Sequence, residues 1–201
     1  MASELPSPWR LAQEHTGFPG GPLGELLTFE GSLTEELTRL GDGDFHLQLT
    51  AQERFSEQAK DALLTHEDAE CWLPGLCREV MMYVAGLAAV AARTLVPDTT
   101  AHAQGWLGEL GGRSLGHALF ERNDVRRSPF EFAPCTYQGD VVQRILSLSP
   151  QALAVQTSEQ PTLWARRSRF QVGQHPLLVM EVFLPPAAAL VQSTPTLGAA
   201  R

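Results

Sequence analysis

At 201 residues and 22.0 kDa, the chain has room for one generous hydrophobic core and little for a second. Hydrophobic residues make up 43% and charged residues 19%, a balance that excludes wholesale disorder. Fifteen basic against 23 acidic residues leave a net charge of −8, which weighs against a nucleic-acid binder because such proteins carry a basic excess or stripe.

Residues 1–21 are rich in Pro, Gly and polar side chains and read as an extension that wraps the surface. From Pro22, Leu23, Leu26 and Leu27 recur at helical spacing, and Gly31 ends that helix. Ser32-Leu-Thr-Glu35 fits a capping box for a second helix, whose apolar side is Leu33, Leu37 and Leu40. Phe45, Leu47 and Leu49 alternate with polar neighbours and predict a strand over 44–50. A helical stretch is expected around 55–65, then extended runs over 72–84 and 87–96, separated by Ala85-Gly86. Residues 113–120 read as a helix and 128–133 as a strand. The segment 135–160 has weak, mixed periodicity and yields no assigned element. Leu163–Val172 and Pro176–Leu184 form a hairpin around Gly173-Gln-His175, and 186–201 reads as a loose tail. Strands joined by short turns, with helices grouped at the start and middle, predict α+β: a single, mainly antiparallel sheet in one domain spanning 1–201.

Cys71, Cys77 and Cys135 form no Cys-x-x-Cys, and no nearby His completes a zinc spacing, so they read as reduced thiols of a cytoplasmic protein. The six histidines are scattered, and no metal site is expected. MASELPSPWR lacks the basic start and apolar run of a secretory signal. The longest apolar stretch, Val80 to Ala92, is 13 residues, short of the roughly 20 that a membrane helix needs.

Two charges stand out. In the run from Cys71, Arg78 shares its strand face with Trp72, Leu76, Val80, Met82 and Val84. In the closing strand Glu181 is the sole polar member of the face Leu177, Val179, Glu181, Phe183, and the other face is apolar too. Isolated buried charges cost several kcal/mol each. Either the two form an ion pair or reach solvent at an edge, or they are the floor of a pocket that grips a ligand carboxylate and hydroxyl. The clusters Arg166, Arg167, Arg169 and Arg122, Arg126, Arg127 are read as solvated positions. The glycines at 108–116 lack the Gly-Lys-Ser/Thr ending of a phosphate loop and read as a plain turn.

The same elements carry a family resemblance. LCREVMMYVAGLAAVAARTLVP from Leu76, then LGELGGRSLGHALF, PFEF, LWARRSRF and PLLVMEVFLP resemble the chorismate pyruvate-lyases in order and spacing, from about Leu26 to Pro185. The resemblance implies an antiparallel sheet whose helical flaps close over a buried pocket, and it marks 135–161, between PFEF and LWARRSRF, as an insertion. It also implies conversion of chorismate to 4-hydroxybenzoate and pyruvate, the opening step of ubiquinone synthesis, in a cytoplasmic monomer without metal or redox cofactor. Arg78, Glu181, Leu33 and Leu115 fall on the family's ligand contacts, and Arg93 on a further arginine near the site. Leu33 and Leu115 would offer backbone N–H groups at helix starts as well as apolar walls. Neither nucleic acid nor membrane is an expected partner. The alternative is a non-catalytic effector domain like those of GntR-type repressors. That reading calls for an attached helix-turn-helix, and only about 21 residues precede the first helix.

Overall fold

A computed structural model describes residues 7–55, 72, 74–135, 143 and 162–193. Seven strands among them form one antiparallel sheet: β1 (Phe45–Phe55), β2 (Gly75–Val84), β3 (Leu87–Pro97), β4 (Val125–Arg127), β5 (Glu131–Cys135), β6 (Leu163–Val172) and β7 (His175–Phe183). Their order is β1-β2-β3-β7-β6-β4, with β5 lying along the same edge of β6 as β4. The β2–β3 hairpin closes on Ala85 and Gly86, both at positive φ (49° and 74°), the left-handed pair that a two-residue turn matched to strand twist requires.

Five α-helices among the described residues accompany the sheet: α1 (Gly21–Thr28), α2 (Leu33–Leu40), α3 (Asp98–Ala103), α4 (Leu115–Phe120) and α5 (Pro185–Ser193). α2 and α4 begin alike. Ser32 accepts from the Glu35 N–H at 3.3 Å and Ser114 from the His117 N–H at 3.2 Å, so each helix starts at a serine cap followed by a buried leucine. Thr34 and Ser114 share a 2.7 Å hydroxyl hydrogen bond that ties the two helix starts together.

Strand alternation divides the core. Leu26, Leu27, Leu33 and Leu37 of the first helices pack on Val80, Met82, Val90, Ala92 and Phe183 on one face. The opposite face carries Cys77, Met81, Tyr83, Leu95, Leu178 and Met180 against Trp9, Phe55 and Trp72.

Several boundaries differ from expectation. β1 runs to Phe55 rather than ending at 50, because pairing with β2 continues through a register shift between Leu49 and Ala51. The strand expected over 128–133 starts only at Glu131, as β5, and the short β4 ahead of it was not expected; both pair with β6. The tail from 186 begins as helix α5, with Ala187 buried. Of the N-terminal extension, Trp9 is buried and Arg10 makes a bridge with Phe132 (N···O 3.0 and 2.7 Å). The helix expected over 55–65 and nearly all of the 135–161 insertion lie outside the described residues.

Candidate functional site

Between the sheet and the helix starts lies a cavity with about 610 Å³ of atom-free space, its mouth included. Arg78, Val80 and Met82 of β2, Ala92 and Thr94 of β3, Val179 and Glu181 of β7, and Arg166, Ser168 and Phe170 of β6 form its floor. Leu33 and Thr34 from α2, and Ser114, Leu115 and Gly116 from the start of α4, form its roof. Leu33, Leu115, Arg78 and Glu181 therefore line one space, although up to 148 positions separate Leu33 from Glu181 in the chain.

Arg78 is 4% exposed. One of its terminal nitrogens, Nη2, donates to the carbonyls of Gly111 (2.8 Å) and Arg113 (2.7 Å), in the turn that leads into α4. Its Nε is buried with no partner, and no carboxylate among the described residues pairs with it. Burial pushes its guanidinium down to about 10, because a cation without an anion is disfavoured away from water. The side chain is anchored to the flap and still short of a negative charge.

Glu181 is two strands away, roughly 10 Å at about 4.8 Å per strand. Arg78 and Glu181 do not pair with each other. The carboxylate instead accepts from Arg166 Nε at 2.5 Å, its direct neighbour across the β6–β7 pair. Arg166 is 2% exposed, and its Nη1 donates to the carbonyls of Leu27 and Phe29, both at 2.9 Å, at the C-terminal end of α1. A cation there answers carbonyls that the helix leaves unbonded. Arg166 thus holds Glu181 with one edge and the first flap helix with another.

Three expectations are corrected. Arg93 faces away from the cavity: it stands on the opposite sheet face, where its Nη2 and Nε donate to Glu79 Oε1 at 2.5 and 2.8 Å. Adjacent strand residues alternate sides, and Arg93 lies between the cavity-lining Ala92 and Thr94. Arg166 and Arg127, read as solvated, both line the cavity. Arg167, also read as solvated, is buried on the far face, paired with Glu131 (2.9 Å) and stacked over Trp9 at 4.7 Å. Alternation carried a signal for Arg166, which shares parity with Trp164 and Phe170; the three-residue β4 offered none for Arg127.

Residues 9–191 match the chorismate lyase family. Over 197 residues the chain is 36% identical to the probable chorismate pyruvate-lyase of Pseudomonas fluorescens, covering 94% of each. It is 34% identical over 172 residues to that of Halorhodospira halophila, covering 84% of each. The chain belongs to the chorismate lyase family. Among solved structures it is similar to the effector domain of PhnF from Mycobacterium smegmatis, with a TM-score of 0.53 at 18% identity over 84% of this chain and 92% of that one. That likeness carries the fold and not a function.

For a chorismate lyase family member, the electrostatics of the cavity are notable against the whole chain. The protein carries a net −8. Yet the lining holds three guanidiniums, from Arg78, Arg127 and Arg166, and Glu181 as its only carboxylate among the described residues. Such a lining favours anions.

Proposed function

We propose that the cavity binds chorismate and converts it to 4-hydroxybenzoate and pyruvate. The observation that carries this reading is the buried, anion-less Arg78 sharing an apolar cavity with Glu181 in a chain of this family. Arg78 takes the ring carboxylate, and its planar fork suits a carboxylate better than a lysine would. Leu33, Leu115 and Val80 wall the flat ring, and Glu181 accepts the ring hydroxyl at the far end. Its Oε2 is occupied by Arg166, and Oε1 accepts no hydrogen bond among the described residues.

The reaction breaks the bond from the ring carbon to the ether oxygen and the carbon–hydrogen bond beside the hydroxyl. That hydrogen goes to the methylene carbon of the enolpyruvyl arm, the ether oxygen becomes the keto oxygen of pyruvate, and the ring becomes aromatic. The two products together hold every atom of the substrate, so no oxidant or reductant is consumed. We favour a concerted cyclic shift, because Glu181 is the sole carboxylate of the lining and is already engaged by Arg166. The protein then supplies pose and charge rather than a proton relay. Guanidinium donors stabilise the charge growing on the ether oxygen, and one such preorganised donor is worth about 3 kcal/mol, on the order of a hundredfold in rate.

We take the protein to act as a monomer, as the family resemblance implies. We assign the reaction to the cytoplasm, as the opening step of ubiquinone synthesis. The test is direct: purified protein incubated with chorismate and a chelator should release 4-hydroxybenzoate and pyruvate in equal amounts. Unchanged chorismate after prolonged incubation would remove the reading.

A further inference from the structure

Arg127 ends β4 opposite Phe170 and faces the cavity, which it lines together with the adjoining cleft of Glu30, Arg122 and Ser128. Its guanidinium carbon lies 4.2 Å from the centroid of Phe130, and that of Arg166 lies 4.3 Å from the same ring. Two cations therefore share one ring, with Glu181 already bound to Arg166. The Arg127 side chain has no hydrogen-bond or ion-pair partner among the described residues. Burial first, and then repulsion from Arg166, push its guanidinium below its ordinary range, while Glu30 and Glu181 offset only part of this.

We propose that Arg127 is the binding residue for a second carboxylate, the one on the enolpyruvyl arm, so that the site selects a dianion gripped at both ends. This rests on the reading given above. Three guanidiniums against one carboxylate leave the lining short of two negative charges. Arg78 and Arg127 stand on strands separated by four spacings, roughly 19 Å at the backbone, and reach inward from opposite walls. A monoanionic product answers one of them. The substrate answers both, and after reaction pyruvate carries the second carboxylate at Arg127, beside the cleft that Arg127 borders.

The test compares two unreactive ligands, 4-hydroxybenzoate and 3-(carboxymethoxy)-4-hydroxybenzoate, which share the ring and differ by an acidic arm. In R127Q the affinity for the diacid should fall about 10- to 100-fold, the range for a lost charge-assisted contact. Affinity for 4-hydroxybenzoate should stay within about threefold, which also shows that the variant is folded. R127K should retain part of the diacid affinity and serves as the main variant if R127Q does not fold. The KM for chorismate should rise in parallel with the diacid loss. Equal losses for both ligands, or no loss for either, would overturn the assignment of Arg127. Failure of the parent protein to bind 4-hydroxybenzoate at all would instead overturn the reading of the cavity.

Discussion

Arg93 and Arg78 stand on neighbouring strands, are 2% and 4% exposed, and differ in what answers their charge. On the face away from the cavity the chain supplies the anion itself: Glu79 takes two donors of Arg93, and Glu131 takes Arg167. On the cavity face Arg78 meets two backbone carbonyls and keeps a buried Nε with no partner. Burial of an arginine is therefore no guide to its role in this sheet. The guide is whether an acid of the same chain stands against it. A paired cation contributes to the fold, whereas an unpaired one costs stability that a ligand carboxylate restores.

The comparison breaks first at Arg78. Arg78→Ala should lower kcat/KM for chorismate by about 100- to 1,000-fold, within the range for truncating one partner of a buried charged contact. Its melting temperature should fall less than that of the corresponding Arg93 variant. Turnover within a fewfold of the parent would mean that the unpaired cation is not where the ligand binds. Arg93→Met probes the other face. Glu79 loses both hydrogen bonds from Arg93, and removing one partner of a buried pair costs about 3–5 kcal/mol. For a chain of this length that is roughly 6–20 °C in melting temperature. Measured well below that transition, the KM for chorismate should stay within about threefold. A stable variant with lost turnover would return Arg93 to the site.

How much of this was legible beforehand depended on register. The face of Arg78 and Glu181 followed from alternation alone, since each sat among apolar residues of one parity. Their partners did not. Reading the β6–β7 turn as Gly173-Gln-His175 sets Arg167 opposite Glu181, whereas the two-residue turn Gly173-Gln174 sets Arg166 there. One residue of register moves the partner to the other face. Arg93 shows a different limit. A family position indicates closeness to a site, while the pleat between Ala92 and Thr94 turns the side chain away from it. The serine-capped helix starts at Leu33 and Leu115 were visible as local patterns, but the hydrogen bond between Thr34 and Ser114 joins residues 80 apart and had no local signal.

The smallest effect should come from Arg166, because a conservative change leaves its charge in place. Arg166 serves Glu181 through Nε and the end of α1 through Nη1, two directions that a planar fork spans and a single ammonium does not. R166K should therefore cost about 1–2 kcal/mol, a five- to thirtyfold loss in kcat/KM, with a modest drop in melting temperature. The decisive measurement is the same substitution made in an E181Q background. If Arg166 positions the carboxylate, most of its effect on turnover disappears there, because the two residues act on one contact. An equal cost in both backgrounds would assign Arg166 to the carbonyls of α1 alone. Arg166 would then act in the fold as the paired Arg93 and Arg167 do, and the contrast between the faces would rest on Arg78 and Arg127.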